Sequence, residues 1–158
     1  GVMWKNLEAD DVLGIMATEP HPTEDRIIVS IDKDMKQIPT KLSRDGETVE
    51  EIPTRLADYW FMIQTLAGDS TDGYKGCQGV GHIKASRVLY KSKTLFDMWD
   101  AVVQEYIRNG YVIDDVYHQA RLARILRADE WDNKKQLPIL WSFQYEKYRS
   151  IRQNQKSA

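Results

Sequence analysis

The sequence predicts an α/β domain that gives way to an all-helical region. Arg26-Ile27-Ile28-Val29-Ser30-Ile31 is short, β-branched and almost continuously apolar, the pattern of a strand buried on both faces of a parallel sheet. The segments on either side of it carry apolar residues at helical spacing. Beyond residue 75 the periodic segments are helical, divided by glycines and short polar turns. With 158 residues, 42% of them hydrophobic, the chain has enough apolar material for one ordinary domain or two small lobes sharing a core.

Taken in order, Leu7 to Ala17 is predicted as a helix that buries Ala9, Val12, Leu13 and Met16, with Asn6 as its cap and Pro20 and Pro22 ending it. The strand at 26–31 runs to Asp32. A helical turn from Lys33 stops before Pro39, because the residue ahead of a proline is driven out of the helical region. Arg44-Asp45-Gly46 marks a hairpin turn inside Lys41–Ile52. Pro53 suits the first turn of the next helix, whose apolar positions are Leu56, Tyr59, Trp60, Ile63, Leu66 and Ala67 and whose C-terminal cap is Gly68. Helices follow over about 81–91, 95–108 and 115–128, the second opened by Thr94 and Asp97 at capping-box spacing. Leu137-Pro138-Ile139-Leu140-Trp141 is a last apolar segment, and residues 144–158 form a polar tail with little to bury.

No apolar run approaches the ~18 residues that cross a bilayer, and the first residues lack the basic and apolar regions of a signal peptide. The expectation is a soluble, intracellular protein. Cys77 is the single cysteine, so neither an internal disulfide nor a zinc-type ligand spacing arises. The net charge of −2 conceals a strong polarity. Residues 1–74 hold 15 acids and 7 bases, whereas 75–158 hold 9 acids and 15 bases, a split that suits a cation site joined to a surface for a polyanion.

Three acidic clusters carry the chemistry: Glu8-Ala9-Asp10-Asp11, Asp32-Lys33-Asp34, and Asp69-Ser70-Thr71-Asp72. Acids in a first helical turn also complement the helix dipole, and loop aspartates also serve turns, so no cluster decides the matter alone. Helical geometry sets Glu8 and Asp11 about 60° apart beside the apolar stripe and turns Asp10 further round. Asp32 lies where ligands collect in open α/β sheets, beyond the carboxyl end of a strand. Seven carboxylates brought together would repel one another unless cations intervened. Hard ions such as Mg²⁺ and Mn²⁺ prefer such oxygen donors, and a pair of them about 4 Å apart activates water and stabilises the leaving oxygen of a phosphodiester. After the third cluster, Gly79-Val80-Gly81 opens a helix on which Lys84, Arg87 and Lys91 recur on one face, while Ile83, Ala85, Val88 and Leu89 supply apolar contacts. Glycines there let backbone N–H groups approach phosphates, and the basic stripe follows a nucleic-acid backbone without reading bases.

In this order, EADD, SIDKD, GDSTDGYKG and GVGHIKASRVL resemble the 5′ nuclease superfamily, which includes the 5′-nuclease domain of bacterial DNA polymerase I, flap endonucleases and phage 5′→3′ exonucleases. The phage branch is the most similar, through DGY and the later QARLARILR, and the likeness covers about residues 7–141. The resemblance implies the C-terminal part of a PIN-like α/β fold over 1–72, a helix-hairpin-helix (helix-three-turn-helix) DNA-binding region over 73–143, and a tail over 144–158. It implies that Glu8, Asp10, Asp11, Asp32, Asp34, Asp69 and Asp72 hold two Mg²⁺ or Mn²⁺ ions, with Glu8, Asp11, Asp32 and Asp34 closest to the reaction. It also implies that Gly79, Val80 and Gly81 grip duplex and bind K⁺, flanked by Lys84, Arg87 and Lys91.

The implied activity is 5′→3′ exonuclease and flap endonuclease action on double-stranded or flapped DNA and on RNA in RNA–DNA hybrids, in the cytoplasm, that of the host for a phage protein. Aromatics such as Tyr74 could stack on an opened end, while burial in the core is the expected role for most tyrosines and tryptophans. Family members begin with a strand bearing a metal-bridging aspartate, then a further acidic motif and a basic helical arch. None of these precedes Gly1, so the expectation is a C-terminal portion whose missing N-terminal segment completes the site. Two other functions fit parts of the sequence: a DNA-binding module without catalysis, and an α/β metal-dependent phosphatase using Asp32 and Asp34.

Overall fold

Five α-helices and two small sheets make up the computed structural model, which describes residues 5–144. Helix α1 (Ala9–Thr18) forms where expected but turns a different face inward. Leu13 and Met16 are exposed, and the buried residues are Gly14 and Ile15. Gly14 decides this, because its missing side chain lets the chain at 125–126 lie directly on the helix; a methyl there would overlap Leu126 O and stand 2.9 Å from Ile125 Cγ2. Nor does Asn6 cap the helix: it has φ +68°, and the N-cap is Glu8, with no side-chain bond.

Strand β1 (Ile27–Val29) pairs in parallel with β2 (Lys41–Ser43), which pairs antiparallel with β3 (Val49–Glu51) through the predicted Arg44-Asp45-Gly46 turn. Burial of β1 on both faces is corrected by the structure. Ile28 packs against Met35, Ile38, Leu42, Ile52, Ala57 and Ile125, but Val29 is 65% and Ile31 80% exposed. Among the described residues only one face of β1 is covered, and β1 is an edge of the sheet. The β-branched run looks the same in sequence whichever face meets water.

Helix α2 (Thr54–Ala67) belongs to both halves of the molecule. Its first turns pack on the sheet through Leu56 and Ala57, while Phe61, Met62, Ile63 and Leu66 enter a second core with α3 (His82–Leu89), α4 (Leu95–Arg108) and α5 (Ile113–Ala123). That core holds Trp99, Tyr106, Trp141 and Phe143. The Tyr106 hydroxyl donates to Thr65 O, fastening α4 to α2. Thr94 and Asp97 form the predicted capping box.

Helix α5 stops five residues short of the expected 128, because the chain beyond Ala123 is drawn out straight and tied across the molecule. Gln37 Nε2 donates to Ala123 O at 2.8 Å, Ile125 N to Gln37 Oε1 at 3.3 Å, and Leu126 N to Asp11 Oδ1 at 2.9 Å. Arg124 pairs with Glu130 and Arg127 with Asp58, both at under 3 Å. A hairpin of β4 (Trp131–Asp132) and β5 (Leu137–Pro138) follows. Of the last apolar segment, Leu137, Ile139 and Leu140 are exposed and only Trp141 is buried. Apart from Gln144, the predicted tail lies outside the described residues.

Candidate metal centre

The stretch from Gly68 to Gly76 is a closed loop built on two glycines. Gly68 ends α2 with φ +69°, its N–H donating to Gln64 O. Asp69 and Tyr74 then exchange both backbone hydrogen bonds, at 2.9 and 3.1 Å, while Gly68 and Gly76 pass so closely that a Cβ on either would collide with the other's backbone. Inside the loop, Asp69 Oδ1 accepts from Thr71 N at 2.9 Å, and Gly73 turns the chain with φ +80°. Asp69 and Asp72 are thereby held three residues apart at one mouth.

Asp34 reaches that mouth from a 3-10 turn (Lys33–Gln37) that follows β1 and is capped by Asp32, whose Oδ1 accepts from Asp34 N at 2.9 Å. Carboxylate oxygens of Asp34, Asp69 and Asp72 lie within 4.8 Å of one another. Two glutamines fix the Asp34 side chain: Gln64 Nε2 donates to its Oδ1, and Gln37 Nε2 donates to Gln64 Oε1. Burial, then the Asp32 charge, pushes the Asp34 carboxyl up to about 6, against the nearby Lys33. Asp69 behaves oppositely. Its side chain is 9% exposed, and the Lys33 ammonium 3.0 Å away holds its carboxyl below the ordinary range.

The helix acids divide. Burial raises the Asp10 carboxyl first, followed by the charges of Asp32, Glu8 and Asp72. Asp11 is drawn the other way by the packing of Gly14, accepting from Leu126 N with Glu8, Asp10 and Glu130 as its charged neighbours. The expectation that Asp11 reaches over the sheet is not met, because its carboxylate is held at residue 126. Glu8 stands exposed at the helix start. The structure therefore gathers Asp34, Asp69 and Asp72, sets Asp10 and Asp32 beside them, and does not bring Asp11 in. Three carboxylates, one of them almost fully buried, make an all-oxygen donor set that fits a hard divalent cation.

The neighbouring glycine turn is also formed. Gly79 has φ +73°, Val80 is buried, and Gly81 leads in extended form into α3. The expected stripe is only partly helical: Lys84 and Arg87 lie on α3, Lys91 lies beyond its end, and Lys84 Nζ is 3.3 Å from Glu105 Oε1. Ile83, expected to make apolar contacts, is 72% exposed, and Ala85 and Leu89 do the packing. Tyr74 is buried beside the cluster and cannot stack on an opened end.

No protein-family model matches the chain. An exonuclease of Escherichia phage T7 is 28% identical over 167 aligned positions, covering 85% of this chain and 55% of the relative. An exodeoxyribonuclease of Enterobacteria phage T3 is 27% identical, covering 86% and 55%. A DNA polymerase I of Lactococcus lactis subsp. lactis is 30% identical over 114 positions, 61% of this chain and 13% of the polymerase. These likenesses are consistent with the 5′ nuclease superfamily.

The chain spans about half the length of the phage relatives it matches. Within that span the sequence pointed to the acids but not to what holds them. Gln64 and Lys33 each hold a cluster carboxylate, and Gln37 holds Gln64. Their signal was an amide at position 64, between Ile63 and Thr65 on the buried side of α2, where water cannot satisfy it.

Proposed function

We propose that this chain is the metal- and duplex-binding part of a 5′→3′ exonuclease with flap endonuclease activity, hydrolysing DNA phosphodiesters and the RNA of RNA–DNA hybrids. The observation that carries this is the convergence of Asp34, Asp69 and Asp72 within 4.8 Å, in a chain related to two phage exonucleases. Those three would hold one Mg²⁺ or Mn²⁺, and Glu8, Asp10 and Asp32 a second. Bound there, such ions supply an activated water and offset the charge on the departing oxygen. The chain's own groups hold the arrangement: Gln37 and Gln64 fix Asp34, Lys33 balances Asp69, and Asp11 anchors α1 to residue 126. Backbone groups of Gly79, Val80 and Gly81, with Lys84, Arg87 and Lys91, would hold the duplex phosphates, K⁺ resting on the carbonyls of the turn.

Among the described residues the edge of β1 is open, which supports a further polypeptide segment on that side. Leu13, Met16, Ile27, Val29 and Ile31 are all exposed around it, an apolar surface of the kind that another element covers. A parallel strand added to β1 would end near Asp32, at the same carboxylates.

A flap substrate labelled at its 5′ end, offered with Mg²⁺ or Mn²⁺, tests the proposal. Cutting that Asp34→Ala abolishes supports it. Binding without cutting assigns the isolated chain to a non-catalytic duplex-binding module, which the open β1 edge favours. Hydrolysis of small phosphate esters with no action on DNA would contradict both.

A further inference from the structure

A narrow cleft of about 90 Å³ opens beside Asp34, lined by Lys33, Lys36, Arg44, Trp60, Gln64 and His82. Its lining comes from four elements that the sequence keeps apart: the 3-10 turn, the β2–β3 hairpin, α2 and the start of α3. The cations outnumber the acids. Lys33 is bound to Asp69, but neither Lys36 nor Arg44 has a carboxylate within 4 Å among the described residues. Lys36 Nζ instead stands 5.1 Å from the centre of the Trp60 ring, and one Arg44 nitrogen donates to Ile31 O at 2.9 Å, the rest of its donor fork having no partner among the described residues. Two unneutralised cations converging next to a cluster of acids, with no acid assigned to them, mark a place for an anion.

The cleft has room for one phosphate group. Resting on the nuclease function proposed above, we propose that the cleft seats a phosphate group of the substrate strand adjoining the scissile one. Lys36 and Arg44 are its charge partners, Trp60 is its apolar wall, and Asp34 forms the side shared with the metal centre. The same chemistry fits an internal phosphodiester or a terminal 5′-phosphate. Lys36 and Arg44 bind the strand and do not touch the reacting atoms.

The test is fluorescence anisotropy of labelled flap DNA in EDTA, where nothing is cut, repeated from 50 to 300 mM salt with 5′-phosphate and 5′-hydroxyl forms. Lys36→Gln and Arg44→Gln should each weaken binding severalfold and reduce the slope of log K against log salt by about 1. Lys134→Gln, in the exposed β4–β5 turn, should change neither. Losses seen with both forms assign an internal phosphate, and losses confined to the phosphorylated form assign the terminal group. Wild-type affinity and slope in both cleft variants would overturn the cleft while leaving the nuclease proposal standing. A wild-type protein with no affinity for DNA would overturn both. Unchanged melting temperatures show that the variants report binding rather than folding.

Discussion

Gly14→Ala sets two physical effects against each other. On helix propensity alone the change should stabilise α1 by about 1 kcal/mol, since alanine is the best helix former and glycine among the worst. Packing predicts the opposite. The new methyl would overlap Leu126 O, a backbone atom that cannot swing aside, and crowd Ile125 Cγ2 at 2.9 Å. Moving α1 away loosens two hydrogen bonds that tie it to the following segment, Leu126 N to Asp11 Oδ1 at 2.9 Å and Ala128 N to Thr18 Oγ1 at 2.8 Å. Each is worth about 1 kcal/mol, and overpacking itself costs ~1–3 kcal/mol. The balance is a net loss of about 2–4 kcal/mol, or a melting temperature lower by ~6–12 °C for a domain of this size. Urea unfolding followed by tryptophan fluorescence measures it. Stability equal to or above wild type would refute the close packing of α1 on residues 125–128.

Gly76→Ala should be more damaging, because φ is +65° there and a Cβ would lie 2.5 Å from Leu66 O; the protein should lose about 3 kcal/mol or more and its Mn²⁺ affinity together, and retention of both would contradict the closed loop. Lys33→Ala should make metal-free protein less stable by exposing Asp69 to Asp34 and Asp72, and Mn²⁺ should then raise its melting temperature by more than it raises that of wild type; equal increments would count against Lys33 as the built-in counter-charge. Asp34 keeps its proton in the folded chain up to a pH of about 6, whereas the unfolded chain releases it near 4, so the contribution of this group to metal-free stability falls as pH rises through that window. The unscreened difference is ~3 kcal/mol, and for a half-buried group about 1 kcal/mol remains. Asp34→Asn should remove that part of the change in urea midpoint between pH 4.5 and 7, and an identical change in both proteins would contradict it.

Much of the architecture was legible because it rests on local chemistry. Pro53 and Gly68 bracket α2, Thr94 and Asp97 start α4, and Arg44-Asp45-Gly46 makes its hairpin. What escaped depended on distant parts of the chain. The inward face of α1 is set by Gly14 meeting residues 125 and 126, more than a hundred positions away, so a count of apolar residues chose Leu13 and Met16 instead. Likewise α5 gives up its last turn because Gln37 and Asp11 capture the backbone beyond Ala123. The acids of the candidate site were conspicuous as clusters. Which of them meet was not, since Asp10 and Asp11 are neighbours in sequence and face different parts of the fold.

The most direct measurement is Mn²⁺ binding, followed by electron paramagnetic resonance of the free ion, to wild type and to Asp72→Asn. Asp72 is exposed, so its replacement should leave the fold intact while removing one of three converging carboxylates. Saturable binding by wild type that weakens about tenfold or more in the variant is the predicted result. Equal binding by the two proteins, or none by either, would show that these carboxylates do not form a metal centre.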